Sequence, residues 1–262
     1  MTPADAIRAF RQGTVVAAAD LRAFYTWRTW LGGWLVRVLC QVVFYSLLAS
    51  LVGDEEYITY VILGAALMIG VTEAMLTSAS TTWDRYLGTP PLLAAAPSRP
   101  GFYFVGRSVQ WPVSGVASTS IALFTLSPFF GVSWSLWQIP VGLLLVAVTT
   151  FATYGMALVV GAVALTVPGA RNVLSSVTVM AITAFCGVLT PVDFWPAAVR
   201  VIAQAVPVTH GLEALRQLEG GGAAVAGSAG LAALTGLCWT ALALLAFHVL
   251  FARARRGSAL LT

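Results

Sequence analysis

Six apolar runs, each about the length needed to cross a bilayer, constrain this chain more than any other feature. A hydrocarbon core about 30 Å thick takes roughly 20 residues of helix. Residues 34–52, 57–78, 104–126, 139–167, 172–190 and 228–251 meet that requirement in nearly unbroken apolar sequence. Within lipid, a lone segment satisfies its backbone groups only by coiling into a helix, so the fold class expected is an all-α polytopic membrane protein with six spans. The run at 139–167 is longer than a perpendicular crossing requires, which implies tilt or projection beyond the hydrocarbon. With 59% of its 262 residues hydrophobic and only 9% charged, the chain lacks the charge to clothe a soluble domain. Its mean hydropathy is +0.87.

The basic residues orient these spans. All 14 are arginine, a bias that fits a GC-rich coding sequence better than a mechanism. Arg8, Arg11, Arg22, Arg28 and Arg37 lie before or at the start of the first span; Arg85, Arg99 and Arg107 join the second to the third; Arg171 joins the fourth to the fifth; Arg253, Arg255 and Arg256 follow the sixth. The remaining connections hold only Arg200 and Arg216, so the positive-inside rule places both termini in the cytoplasm and the cell membrane as the location. A single transmembrane domain results, with an interfacial segment over 1–32, the spans over 33–251 and a cytoplasmic tail over 252–262. The interfacial segment alternates charged and apolar residues at helical spacing, with Phe24, Trp27 and Trp30 near the headgroups. Charged residues interrupt its first thirty positions, so no cleavable signal peptide is read there. Cys40, Cys186 and Cys238 all fall in apolar runs and read as small core residues.

Two connections carry most of the information. The inner one, from 79 to 103, includes Asp84 and Arg85, the turn signal Gly88-Thr89-Pro90-Pro91, a short apolar run over 92–96, and Pro97-Ser98-Arg99-Pro100. A short apolar helix between breakers on the charged side of a membrane has to bury its face against the interface or another protein. The outer one, from 191 to 227, begins at Pro191 and places apolar residues at helical spacing over 195–206. Pro207 breaks that helix, Thr209 is the expected N-cap of a second helix over 211–218, and the glycines at 220–222 end it. Neither piece is long enough to span.

The inner pattern "DRYLGTPPLLAAAPSRPGFYFVGR" resembles the connection between the second and third spans of ABC-2-type transporter permeases. The outer pattern "GVLTPVDFWPAAVRVIAQAVPVTHGLEALR" resembles the stretch after that family's fifth span, and the likeness extends over the chain in span count and order. Where the family often has a glutamate soon after "GT", this chain has Pro90 and Pro91. The resemblance implies that Asp84, Arg85, Leu87, Gly88, Thr89, Leu92, Leu93, Pro97, Ser98 and Arg99 form a coupling helix that docks on a separate ATP-hydrolysing subunit. It also implies that Pro191, Phe194, Trp195, Pro207, His210 and Glu213 belong to re-entrant helices closing the exit side. Two permeases, identical or related, would pair above two ATPase subunits, with ATP and Mg²⁺ on the partners and no cofactor on this chain. The expected cargo is a hydrophobic or amphipathic small molecule such as a drug, antibiotic or lipid-like compound; a lipid-linked polysaccharide is the alternative. The second and fifth spans, carrying Gly64, Ala65, Gly70, Ser175, Ser176 and Thr178, are the candidates for lining the path.

Other chemistry finds little footing. No G-x-x-x-x-G-K-[ST] loop, G-x-S-x-G elbow or H-E-x-x-H pair occurs, so ATP chemistry is expected elsewhere, and no nucleic-acid partner is expected. His210 and Glu213 share a helix face but are too few for zinc, and Glu213 and Arg216 are spaced for a local ion pair. Glu73 is an intramembrane carboxylate near the inner end of the second span, in reach of Arg37 or the inner loop. It is the residue on which a rival reading, a secondary ion-coupled transporter, would rest. His248, near the inner end of the last span, reads as an interfacial residue, and most tryptophans read as belt anchors.

Overall fold

A 32-residue helix through the middle of the molecule organises the rest. The computed structural model describes residues 3–24, 26–52, 54–95, 100–222 and 224–256. In chain order the helices are α1 (Pro3–Phe24), α2 (Trp27–Ser50), α3 (Glu55–Tyr86), α4 (Thr89–Ala95), α5 (Pro100–Phe130), α6 (Gln138–Thr166), α7 (Arg171–Phe185), α8 (Ala197–Gln204), α9 (Pro207–Glu219) and α10 (Val225–Arg255). No strand occurs among the described residues. Helices α2, α3, α5, α6 and α10 are long and apolar enough to cross a membrane.

Burial sorts these five. The most apolar window of α3 is 78% buried and that of α6 61%, against 22% for α2 and 28% for α10. The first two therefore form the centre, and the others turn apolar side chains such as Leu47, Leu48, Leu237 and Leu245 outward. The centre is closely packed: Ile62, Leu63 and Leu67 of α3 join Val146 and Ala157 of α6 in one cluster. Asp54 starts α3 by accepting the Glu56 amide at 3.0 Å, and Glu55 and Glu56 place negative charge on its first turn. A π-turn over Trp30–Leu35 interrupts α2, and another over Ala122–Leu126 interrupts α5.

Several expectations change. The inner connection does not begin at Ala79, because α3 continues to Tyr86. Thr77, Ser78, Ser80, Thr81 and Thr82 are buried, and hydroxyls such as Thr81 Oγ1 donate to the carbonyl four residues back, at 2.8 Å. A polar run that satisfies itself in this way stays helical. Gly88, at φ +69°, then ends α3, and the helix resumes at Thr89 with Pro90 and Pro91 in its first turn, where proline loses no bond. Pro97, Ser98 and Arg99 lie outside the described residues.

The leader is helical, as expected, and α1 packs on the start of α5 through buried Ala9 and Ala17. The run expected at 172–190 is helical only over Arg171–Phe185, 15 residues, and turns at Gly187 with φ +82°. The second outer helix starts at Pro207, not at Gly211. Thr209 lies inside it and is not its N-cap; Val206 holds that position.

Candidate functional site

The two connections singled out by the sequence lie in separate regions, one around α4 and one around α9. At the α4 end, Tyr86, Leu87 and Leu92 are exposed, with Leu92 at 72%. Leu93 and Ala94 instead pack on a cluster that includes Phe104 of α5 and Phe247 and Phe251 of α10, and the Phe104 and Phe247 rings stack 4.8 Å apart. Arg255 Nε donates to the Ala94 carbonyl at 2.9 Å, tying α4 to the end of α10. The short helix is thus held along one side and bare along the other.

Asp84 and Arg85, adjacent in sequence, separate in function. Arg85 Nη1 donates to the Leu165 carbonyl, placing a cation at the C-terminus of α6, where the helix dipole favours it. Asp84 turns inward and accepts from Arg107 Nε at 3.0 Å. The other arm of that guanidinium, Nη2, pairs with Asp20 of α1. Arg107 is 2% exposed, so one buried fork joins α1, α3 and α5. Sequence reasoning placed Arg107 in the inner motif but missed Asp20. In sequence Asp20 was marked only as one of two acidic residues, with Asp5, among the four arginines of the leader.

At the α9 end, the joint between α8 and α9 is closed by side chains. Thr209 Oγ1 donates to the Ala203 carbonyl at 2.6 Å, and His210 Nε2 meets the Gln204 carbonyl at 2.8 Å. The His210 bond serves a carbonyl that the end of α8 would otherwise leave open, and Thr209 adds a second donor to one that already accepts from the Val206 amide at 3.0 Å. His210 therefore serves the joint, and no group of three or more His, Cys, Asp or Glu suited to a metal occurs among the described residues.

The ion pair expected between Glu213 and Arg216 does not form. Arg216 points inward, donating to the carbonyls of Gly187 at 2.7 Å and Tyr60 at 3.2 Å, with its guanidinium 3.4 Å from the centre of the Tyr60 ring. Two backbone acceptors and an aromatic face outcompete an exposed carboxylate. Glu213 instead accepts from Gln217 at 3.2 Å. Pro207 is buried, Pro191 and Phe194 are exposed, and Trp195 meets the Phe185 ring edge-on at 4.9 Å.

Glu73 is 1% exposed and accepts from Trp34 Nε1 at 3.0 Å. The expected arginine contact is replaced by that indole, while Arg37 lies over the Trp34 ring at 4.8 Å. Between α3 and α7 lies a cavity of about 520 Å³ lined by Thr72, Ser78, Asn172, Ser175 and Ser176 and, on its apolar part, by Met75, Leu76, Val179 and Met180. Ser78 and Ser175 hydrogen-bond across it. Gly64 and Gly70 face elsewhere, toward the Val188 carbonyl and toward Thr119 and Thr150.

A comparison with curated proteins gave no match. A family model, described as ABC-2 type transporter, matches residues 15–219, from within α1 to the end of α9, taking in the inner connection and the outer one as far as Glu219. With that match covering well over half of its 262 residues, the chain belongs to the ABC-2 type transporter family, as a membrane permease component.

Proposed function

We propose that this chain is the membrane-spanning subunit of an ATP-binding cassette exporter in the cell membrane. In this reading α7 together with residues 186–190 completes the fifth of six spans, and both termini are cytoplasmic, as the arginine distribution requires. Two permeases pair over two ATPase subunits, which hold ATP and Mg²⁺. The cargo is a hydrophobic or amphipathic small molecule. The uncharged cavity between α3 and α7, walled by serine and threonine hydroxyls and by Met75, Leu76, Val179 and Met180, supports this cargo over a highly charged one.

The observation that carries the reading is α4. A seven-residue helix anchored on one side and exposing Leu92, beside exposed Tyr86 and Leu87, is suited to a cleft on a partner. ATP-driven approach of the ATPase subunits would press on this face. The push would reach α10 through Arg255, α6 through Arg85, and α1, α3 and α5 through Arg107. The α8–α9 pair would enter the outer leaflet and return, closing the exit.

The test is to purify the tagged chain from its native membrane and identify what accompanies it. An ATPase bearing a P-loop is expected. Leu87→Asp with Leu92→Asp should lower its recovery more than tenfold, since charge in an apolar cleft is unpaired on docking. Glu213→Ala, at the opposite end, should leave recovery unchanged. An intact chain that never carries an ATPase would sink the proposal and favour an ion-coupled transporter acting through Glu73.

A further inference from the structure

Beside the Arg107 fork is a second cavity, of about 410 Å³, walled by α1, α3, α5 and the first residue of α7. Its lining combines Asp20, Trp83, Arg107, Trp111 and Arg171 with Gln110. Arg171 makes no ion pair among the described residues. Arg107 has spent Nε and Nη2 on carboxylates, but its buried Nη1 has no hydrogen-bond partner, and neither does the buried Gln110 Oε1. A buried guanidinium N–H without an acceptor is expensive to leave unmet, and acceptors of matching geometry are carboxylate and phosphate. The Trp111 indole donates to Ser80, fixing one wall of the site, whereas Trp83 remains about half exposed at its mouth.

Charge narrows the ligand. Arg107 and Arg171 stand against Asp20 and Asp84, so the surroundings are close to neutral and carry both signs. A net-anionic group would gain from Arg171 but oppose Asp20. A group carrying its own cation satisfies both, with its ammonium toward Asp20, which is 30% exposed, and toward the Trp83 ring. Gln110 also lines a neighbouring cavity of about 450 Å³ whose other walls include Ala17, Leu21, Trp30 and Val113. A polar pocket and an apolar one that share a wall suit a head and a chain.

We propose that this pair of cavities binds one zwitterionic aminophospholipid from the leaflet on the arginine-rich side. Its phosphodiester meets Arg171 and Arg107 Nη1, its ammonium meets Asp20, and part of an acyl chain lies along α1 and α5. Such a lipid would bear on the helices that the Arg107 fork holds together. The inference rests on the membrane placement of the spans and is independent of any ATPase partner.

The test is native mass spectrometry of the full chain released from nanodiscs of equimolar phosphatidylethanolamine and phosphatidylglycerol. One retained phosphatidylethanolamine per chain is expected, and Arg171→Gln should lower its retention about tenfold, the value of a charge-assisted bond. Because Arg171 makes no ion pair among the described residues, the variant should fold, which its thermal transition checks. Preference for phosphatidylglycerol, equal retention of both, or unaltered retention in a folded variant would overturn the proposal. So would inorganic phosphate displacing the lipid at millimolar concentration, which would mark a soluble-anion site. The lipid selectivity of the unmodified chain decides the matter even if the variant misfolds. An absent ATPase would leave this result untouched, so the two proposals fail separately.

Discussion

Replacing Arg107 with methionine is expected to destabilise the chain by about 3–5 kcal/mol, the usual consequence of removing one partner from a buried ionic group. The size follows from what remains. The Asp84 side chain is 2% exposed, and without the guanidinium it is left with the Tyr103 hydroxyl and the Asp20 carboxylate. Methionine fills the volume but brings no donors to either. Adding Asp84→Leu and Asp20→Leu should recover most of the loss, since a buried polar cluster replaced whole by apolar groups is often neutral. Unfolding of the purified chain in mixed micelles would measure both. Equal stability for the triple and single variants would show that unmet charge is not the cause.

Gly106→Ala should separate α1 from α5. A β-carbon at 106 would stand 2.1 Å from the Phe10 carbonyl oxygen, and one at 13 would stand 2.3 Å from the Tyr103 carbonyl oxygen. These obstacles are backbone, so no side chain can swing away, and the helices themselves must part. A loss of about 1–3 kcal/mol is expected, together with faster proteolysis within α1 and weaker pairing of Asp20 with Arg107. Gly32→Ala is the control: it has no atom in the way and should be neutral or slightly stabilising. Comparable losses at both positions would indicate a general effect of the substitution and not the close approach.

Periodicity and length revealed the long helices because a spanning sequence is apolar whether it faces lipid or the protein's own centre. Thus 139–167 was legible almost to the residue as Gln138–Thr166. The extension of α3 through Ser80, Thr81 and Thr82 was not, since hydroxyls that bond their own helix look like a loop in one dimension. The end of α7 was hidden for the opposite reason: Cys186, Val188 and Leu189 continue the apolar run after the backbone has turned at Gly187. In the candidate sites, the motifs located α4 and the α8–α9 pair but not the partners of their charged residues. Arg216 was assigned to the nearest carboxylate in sequence, and it found carbonyls 156 and 29 residues away. Such contacts depend on which helices are neighbours, and local spacing does not encode that.

The Arg107 fork has a mechanical consequence. A planar guanidinium holding carboxylates on two other helices acts as a three-point mount: it removes relative freedom among α1, the end of α3 and the start of α5. Load entering at α4, as proposed above, would then meet a plate, not a set of independent rods. Compliance is left to the single left-handed residue between α3 and α4, Gly88, whose surroundings are open. In the coupling proposed above, the stroke delivered to the membrane would be a tilt of the whole plate, and the N-terminal helix would travel with it instead of watching from the side.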